Sequence, residues 1–258
     1  MMRALRAEWT KLRTIRSTTW TLLAIFGLTV GLGAVLAAGS ESTPPGAGGD
    51  NDLVRDSLVG SYAAQFAVVA FGVLAITSEY ATRMILATFT VVPERGRVLV
   101  AKVLLVGGTV LVVALATATT AFVLGQQLLR DGGYSPPGYP AWSLDDGPAQ
   151  RAVLGTALLL TALALLSLGV GAIVRHTALA ITSLLALLFI PLVFAPLLPE
   201  RTRELVQQVT PGAGFAVQQT VAREDALPIG PWTGLGVSFA WAAGALLLAL
   251  VLIRRRDA

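Results

Sequence analysis

The stretch AVLGTALLLTALALLSLGVGAIV occupies residues 152–174 and contains no charged side chain. A transmembrane helix needs about 20 mostly apolar residues to cross the roughly 30 Å hydrocarbon core of a bilayer. A helix of this length in a soluble protein would keep one polar face towards water, and this stretch has none. It is therefore predicted to be a membrane-spanning helix.

Five further apolar runs flank this one, at residues 19–39, 58–77, 98–124, 178–198 and 232–253. Lys102 is the only charged residue inside any of the six windows. Charged residues make up 13% of the chain, whereas soluble domains have roughly 25%. The sequence thus predicts an all-α integral membrane protein, with residues 1–258 forming one six-helix transmembrane domain. The first run is too long for the 7–15 residues typical of a signal-peptide core, so it is predicted to be an uncleaved span.

The net charge of +4 and the pI near 10.0 are compatible with nucleic-acid binding, but the basic residues flank the spans. Cytoplasmic loops of membrane proteins are enriched in Lys and Arg. With both termini inside, thirteen of the nineteen basic residues are cytoplasmic: Arg3, Arg6, Lys11, Arg13, Arg16, Arg83, Arg95, Arg97, Lys102, Arg175, Arg254, Arg255 and Arg256. The pattern predicts a multi-pass plasma-membrane protein with cytoplasmic termini, lipid contacts and no nucleic-acid partner.

The leader, residues 1–18, has the pattern of an amphipathic helix. Met2, Leu5, Trp9 and Leu12 recur at spacings of three and four, and the basic residues lie on other faces. Such a helix lies in the membrane interface, with Trp at headgroup depth. It could serve as a topology anchor only, or it could also contact a cytoplasmic partner.

The cytoplasmic connection at residues 78–97 lies between the second and third spans. A short helix is predicted from about residue 80 to residue 90, and Pro93 ends it because proline lacks the N–H of a helical residue. Glu79 is expected to be exposed, where it could pair with Arg83, one turn further on, or accept a charge-assisted hydrogen bond from a docked partner. The segment could be an ordinary polar loop or a rigid contact for a soluble partner.

The sequence contains little that could support catalysis. It has no cysteine, and its single histidine, His176, lies in the turn between the fourth and fifth spans, where it is predicted to be solvated. A phosphate-binding P-loop needs a Gly-rich stretch ending in Gly-Lys, but Lys11 and Lys102 follow Thr10 and Ala101. The chain is therefore predicted to be neither an enzyme nor a binder of nucleotide, cofactor or metal.

The cytoplasmic segment resembles the first loop of the permease family of type-2 ABC exporters, particularly small actinobacterial members. The resemblance rests on Glu79-Tyr80, Thr88, Pro93, Arg95 and Lys102. The beginning of the chain, residues 8–18, the Pro-Gly-Ala-Gly run at 211–214 and the closing residues 256–258 are also similar to that family. Arg83 and Glu94 depart from the family pattern.

This resemblance implies a half-transporter. Two such units, as a homodimer or with a related permease, would form the pore, and ATP and Mg would bind a separate cytoplasmic ABC ATPase. Residues 80–92 would form the coupling helix, and residues 199–231 an external, partly re-entrant segment. The implied coupling residues are Glu79, Tyr80, Arg83, Met84, Pro93 and Arg95.

The resemblance also implies that the second and fifth spans line the translocation path. The candidate lining residues are Tyr62, Gln65, Phe66, Phe71, Thr182, Phe189 and Phe194. This lining is mostly apolar and weakly polar, which favours an amphipathic, lipid-like or drug-like substrate. Two other functions stay open: a non-transporting scaffold or sensor subunit, and an uncoupled carrier or channel.

Overall fold

The computed structural model describes residues 2–14, 16–39, 52–81, 95–134, 136, 139–221 and 226–255. Three predicted coupling residues, Arg83, Met84 and Pro93, lie outside these described residues, and so do residues 82–92 of the predicted coupling helix. Arg95 begins a described helix, but its side chain is outside the described part.

The described residues form helices and connecting turns, without a strand. Six helices are long and apolar enough to cross a membrane, and they coincide with the six predicted spans. They are α2 (Arg16–Ala38, with a π-helical turn at Gly27–Leu32), α4 (Ser61–Ala81), α5 (Arg95–Asp131), α6 (Gly147–Val174), α7 (Thr177–Phe194) and α9 (Pro231–Arg255). The prediction of six spans is confirmed.

Shorter elements lie at the ends of the spans. They are α1 (Met2–Thr14), α3 (Leu53–Ser57), α8 (Glu200–Val209) and two 3₁₀ segments, Ala195–Leu197 and Pro211–Gln218. Helix α1 is predicted to lie along the membrane surface, and this placement stays a prediction.

The turn between α6 and α7 is built from two capping residues. Arg175 ends α6 in the left-handed conformation, with a φ of 56°, which satisfies the last carbonyl groups of a helix. His176 then begins α7, because its Nδ1 accepts a hydrogen bond of 3.3 Å from the backbone N–H of Leu179. His176 was predicted to be a solvated turn residue, and the structure gives it the additional role of a helix cap.

Helix α6 is the centre of the bundle. In its most apolar 18-residue stretch 72% of the residues are buried, against 22% in the corresponding stretches of α2, α7 and α9. It packs on α4, α5 and α9. Gly72 of α4 lies against the backbone of Ala164 in α6, and Gly169 of α6 lies against Ala245 of α9. Small residues at these crossings let the helix backbones approach closely, as is common in membrane bundles.

Candidate functional site

Four charged side chains meet where α1, α4 and α5 converge. The ammonium group of Lys102 lies 2.6 Å from Glu8 Oε2 and 2.8 Å from Glu79 Oε1. The ammonium group of Lys11 lies 2.8 Å from Glu8 Oε1 and 2.8 Å from Glu79 Oε1. These residues, called here the ion cluster, join the leader helix to the end of the second span and the start of the third.

Three of the four side chains in the ion cluster are buried, Lys11 is partly exposed, and the four formal charges balance. Glu8 and Glu79 are 5% exposed and Lys102 is 4% exposed. Lys102 also donates a hydrogen bond of 3.1 Å to the carbonyl oxygen of Ala75. A buried charge that loses its partner is strongly destabilising, because it cannot recover its hydration. The convergence of α1, α4 and α5 therefore depends on all four residues.

This geometry corrects the prediction that Glu79 is exposed, whereas its predicted partner Arg83 lies outside the described residues. Glu79 is buried and bonds Lys11 and Lys102, so its replacement should disturb packing as well as any coupling. Lys102, predicted to be a positive flank at the membrane surface, is also buried, and it bonds Glu8 and Glu79. Lys11 and Lys102 are the only lysines among nineteen basic residues. A compact ammonium group with three donors can bridge two carboxylates. The presence of only these two lysines was therefore the sequence feature that could have pointed to the ion cluster.

The charge state of Lys11 follows from its surroundings. Burial lowers the pKa of Lys11, but hydrogen bonds to Glu79 and Glu8 outweigh that effect and raise the pKa above its usual value. Lys11 is therefore protonated at neutral pH, where its stabilising effect is fully present. That effect is lost only in strongly alkaline solution, as the pH rises through the raised pKa.

The face of α1 that packs on the bundle is the one that carries Glu8 and Lys11. Trp9, on the neighbouring face, is 52% exposed. A Trp ring in this position suits the headgroup region of a bilayer. Polar contacts therefore attach α1 to the spans.

The end of α4 is also tied to the turn between α6 and α7. The guanidinium carbon of Arg175 lies 5.1 Å from the centre of the Tyr80 ring, which is within the range of a cation–π contact. One turn earlier, the hydroxyl groups of Thr77 and Thr177 lie 2.9 Å apart in a hydrogen bond. Helices α1, α5 and α7 therefore all contact α4 just before residues 82–94.

The predicted path residues are only partly brought together. Phe66 of α4 stacks on Phe189 of α7, with ring centroids 4.6 Å apart. Tyr62 stacks on Phe215 of the 3₁₀ segment, with centroids 3.9 Å apart. Gln65 and Tyr62 also line a cleft of about 140 Å³ between α4, α7 and the Pro211–Gln218 segment.

The other three predicted path residues lie elsewhere. Phe71 is buried in the hydrophobic core of the bundle. Thr182 is exposed on α7 and its hydroxyl donates to the carbonyl oxygen of Ala178. Phe194 is exposed at the end of α7. Phe71 therefore lies apart from the aromatic face formed by Tyr62, Phe66 and Phe189.

A second buried polar site, which the sequence did not indicate, lies at the opposite end of the bundle. Asp52 has no exposed surface. Its carboxylate accepts hydrogen bonds of 2.6 Å from the backbone N–H and the hydroxyl of Thr220, and longer ones from the N–H groups of Val221 and Arg55. Asp52 thus fixes the start of α3 to the chain that follows the Pro211–Gln218 segment.

The Pro211–Gln218 segment itself is held inside the bundle. Gln218 is fully buried, and its Nε2 donates hydrogen bonds to the hydroxyl groups of Ser61, at 2.8 Å, and Thr156, at 2.9 Å. Val217 packs against Gly155 of α6. This burial is compatible with the predicted re-entrant segment at residues 199–231.

The described residues offer no group of three or more His, Cys, Asp or Glu side chains that could hold a metal ion. The described residues have two groups of buried polar contacts that stand out, the ion cluster and the contacts of Asp52. Both groups join separate elements of the bundle. Comparison with protein-family models, curated proteins and solved structures finds no match to this chain.

Proposed function

We propose that this chain is the permease subunit of an ATP-driven ABC exporter, forming the translocation path as a dimer and coupled to a separate cytoplasmic ATPase. One observation carries the proposal: the ends of α4 and α5 that border residues 82–94 are joined through Glu79 and Lys102. The motif resemblance of the sequence to type-2 ABC permeases supplies the identity of the partner.

The ion cluster supports a route for coupling. A partner that displaces residues 82–94 would act on the end of α4 and the start of α5 together, because a 2.8 Å ion pair connects them. Glu8 and Lys11 extend the same connection to α1, and Tyr80 extends it to the α6–α7 turn. Displacement at the cytoplasmic surface would thus reach four of the six spans.

The aromatic face supports an amphipathic substrate. Phe66 is exposed on α4, and it stacks on Phe189 of α7. Such a surface favours apolar or aromatic groups, while Tyr62 and Gln65 in the adjacent cleft would contact a polar group. A lipid-like or drug-like molecule combines these two properties.

The proposal is tested by ATP hydrolysis with and without the partner. The purified chain alone should not hydrolyse ATP, and the complex with its ATPase, purified from native membranes, should. A complex whose ATPase carries a substitution of its P-loop lysine is the control and should be inactive. ATP turnover by the chain alone, with contaminants excluded, would refute the assignment.

The charge distribution predicts that both termini are cytoplasmic and that residues 40–57 are external. The chain has no cysteine, so single cysteines can be labelled without background. An Asn51→Cys variant should react with a membrane-impermeant maleimide added outside intact cells. An Ala258→Cys variant should react only after the cells are opened. The reverse pattern would overturn the orientation.

A further inference from the structure

An open groove of about 470 Å³ lies between α1, α2 and α5, on the side of the bundle that carries the N-terminus. Trp9 and Arg13 of α1 stand at one end of it. Its walls are almost wholly apolar, from α2 on one side and α5 on the other: Leu22, Leu23, Phe26, Val112, Val113 and Ala116. The groove thus combines one cationic end with a long apolar floor.

The depth of the groove corresponds to one leaflet of a bilayer. Thr109 and Ala116, which both line it, lie seven residues apart, about 10 Å along the axis of α5. On α2, Phe26 lies ten residues beyond Arg16, or about 15 Å. One leaflet contributes about 15 Å of the hydrocarbon core. The groove therefore runs from the membrane surface towards its centre.

The charge at the groove mouth is positive. Arg13 is exposed and forms no ion pair within the described part of the chain. Glu8 is the only acidic residue of α1, and the ion cluster already engages it. Arg6 and Arg16 are exposed nearby. An anionic group is therefore the complementary occupant at this end.

We propose that this groove binds one anionic glycerophospholipid. Its phosphate would lie against Arg13, with the Trp9 ring at headgroup depth, and one acyl chain would lie between α2 and α5. The ion cluster positions Arg13 for this role, because it fixes α1 across the ends of the spans. This proposal is independent of any transport activity.

A second copy of the chain fits the groove less well. In a two-fold dimer each surface meets its own counterpart, so Arg6, Arg13 and Arg16 of the two copies would face one another. Like charges brought together in this way oppose association.

Retention of lipid by the purified chain tests the proposal. The protein is delipidated in detergent and titrated with phosphatidylglycerol or phosphatidylcholine of identical chains, and bound lipid is counted by native mass spectrometry. One phosphatidylglycerol should bind per chain with saturation. Arg13→Gln should weaken its binding about fivefold, the effect expected for one basic residue near anionic lipid. Val112→Phe should weaken it as well, because the larger side chain narrows the groove.

Two matched variants serve as controls. Arg255→Gln removes an exposed cation from α9, and Leu104→Phe enlarges an exposed residue of α5 outside the groove. Both should bind phosphatidylglycerol like the parent, with unchanged melting temperatures. Equal binding of both lipids, or equal weakening by Arg255→Gln and Arg13→Gln, would overturn the proposal. A Val112→Phe variant that loses dimers but still binds phosphatidylglycerol like the parent would also overturn the proposal.

Discussion

Lys102→Met is expected to lower the free energy of unfolding by about 3–5 kcal/mol, the usual result of removing one partner from a buried ion pair. The substitution leaves Glu8 and Glu79, both buried, with Lys11 as the remaining cation of the cluster. Helix α1 should separate from α4 and α5 as a consequence. Thermal melting in detergent, together with proteolysis of the leader, measures both effects.

A double variant distinguishes charge imbalance from loss of packing. Lys102→Met combined with Glu8→Gln leaves one carboxylate and one ammonium group, so it should recover part of the lost stability through coupling of the two sites. Arg255→Met removes an exposed cation from α9 and should change stability by less than about 0.5 kcal/mol. Wild-type stability of Lys102→Met would contradict the structural role of the ion cluster.

Asp52→Ala is expected to have an effect of similar size at the other end of the bundle. It removes the acceptor for three backbone N–H groups and one hydroxyl. Hydrogen bonds to charged groups are worth about 1.5–3 kcal/mol each, and buried donors left without a partner add a cost. We expect a loss of at least about 3 kcal/mol, measured by thermal melting, and faster proteolysis after residue 218.

Asp145→Ala is the matched control for Asp52→Ala, because Asp145 is an exposed acidic residue in the connection before α6. It should melt like the parent. Asp52→Asn, which keeps one acceptor oxygen, should fall between the two. Equal stability of Asp52→Ala and Asp145→Ala would show that the Asp52 contacts do not hold the Pro211–Gln218 segment in place.

The spans could be predicted because a bilayer constrains the local sequence of each spanning helix. Every spanning helix must satisfy its own backbone hydrogen bonds and present apolar side chains over about 20 consecutive residues. Continuous apolar stretches of sequence meet that requirement, and they predicted all six long apolar helices.

The ion cluster and the Asp52 contacts could not be predicted because they join distant parts of the chain. Lys11 and Glu79 are 68 residues apart, Glu8 and Lys102 are 94 apart, and Asp52 and Thr220 are 168 apart. Helical spacing rules reach only three or four residues. They led to the expectation that Glu79 is exposed.

Helix geometry explains why the predicted path residues divide into two sets. At 3.6 residues per turn, positions on α4 rotate by about 100° each. Phe71 lies nine residues after Tyr62, so it points to the opposite side of α4, into the core. Tyr62, Gln65 and Phe66 lie within one turn and share a face. Choosing residues by span alone, without their rotation, grouped Phe71 with residues on another face of α4.

Transport in inside-out membrane vesicles tests most directly the proposal that this chain is an ATP-driven permease. Vesicles that contain the chain and its ATPase should accumulate a fluorescent amphipathic dye when ATP is supplied. Accumulation should stop with a non-hydrolysable ATP analogue and should be absent from vesicles that lack the chain. Chain-dependent accumulation that proceeds equally without ATP would instead indicate an uncoupled carrier, and the absence of any chain-dependent accumulation across a panel of such dyes would contradict a transport role.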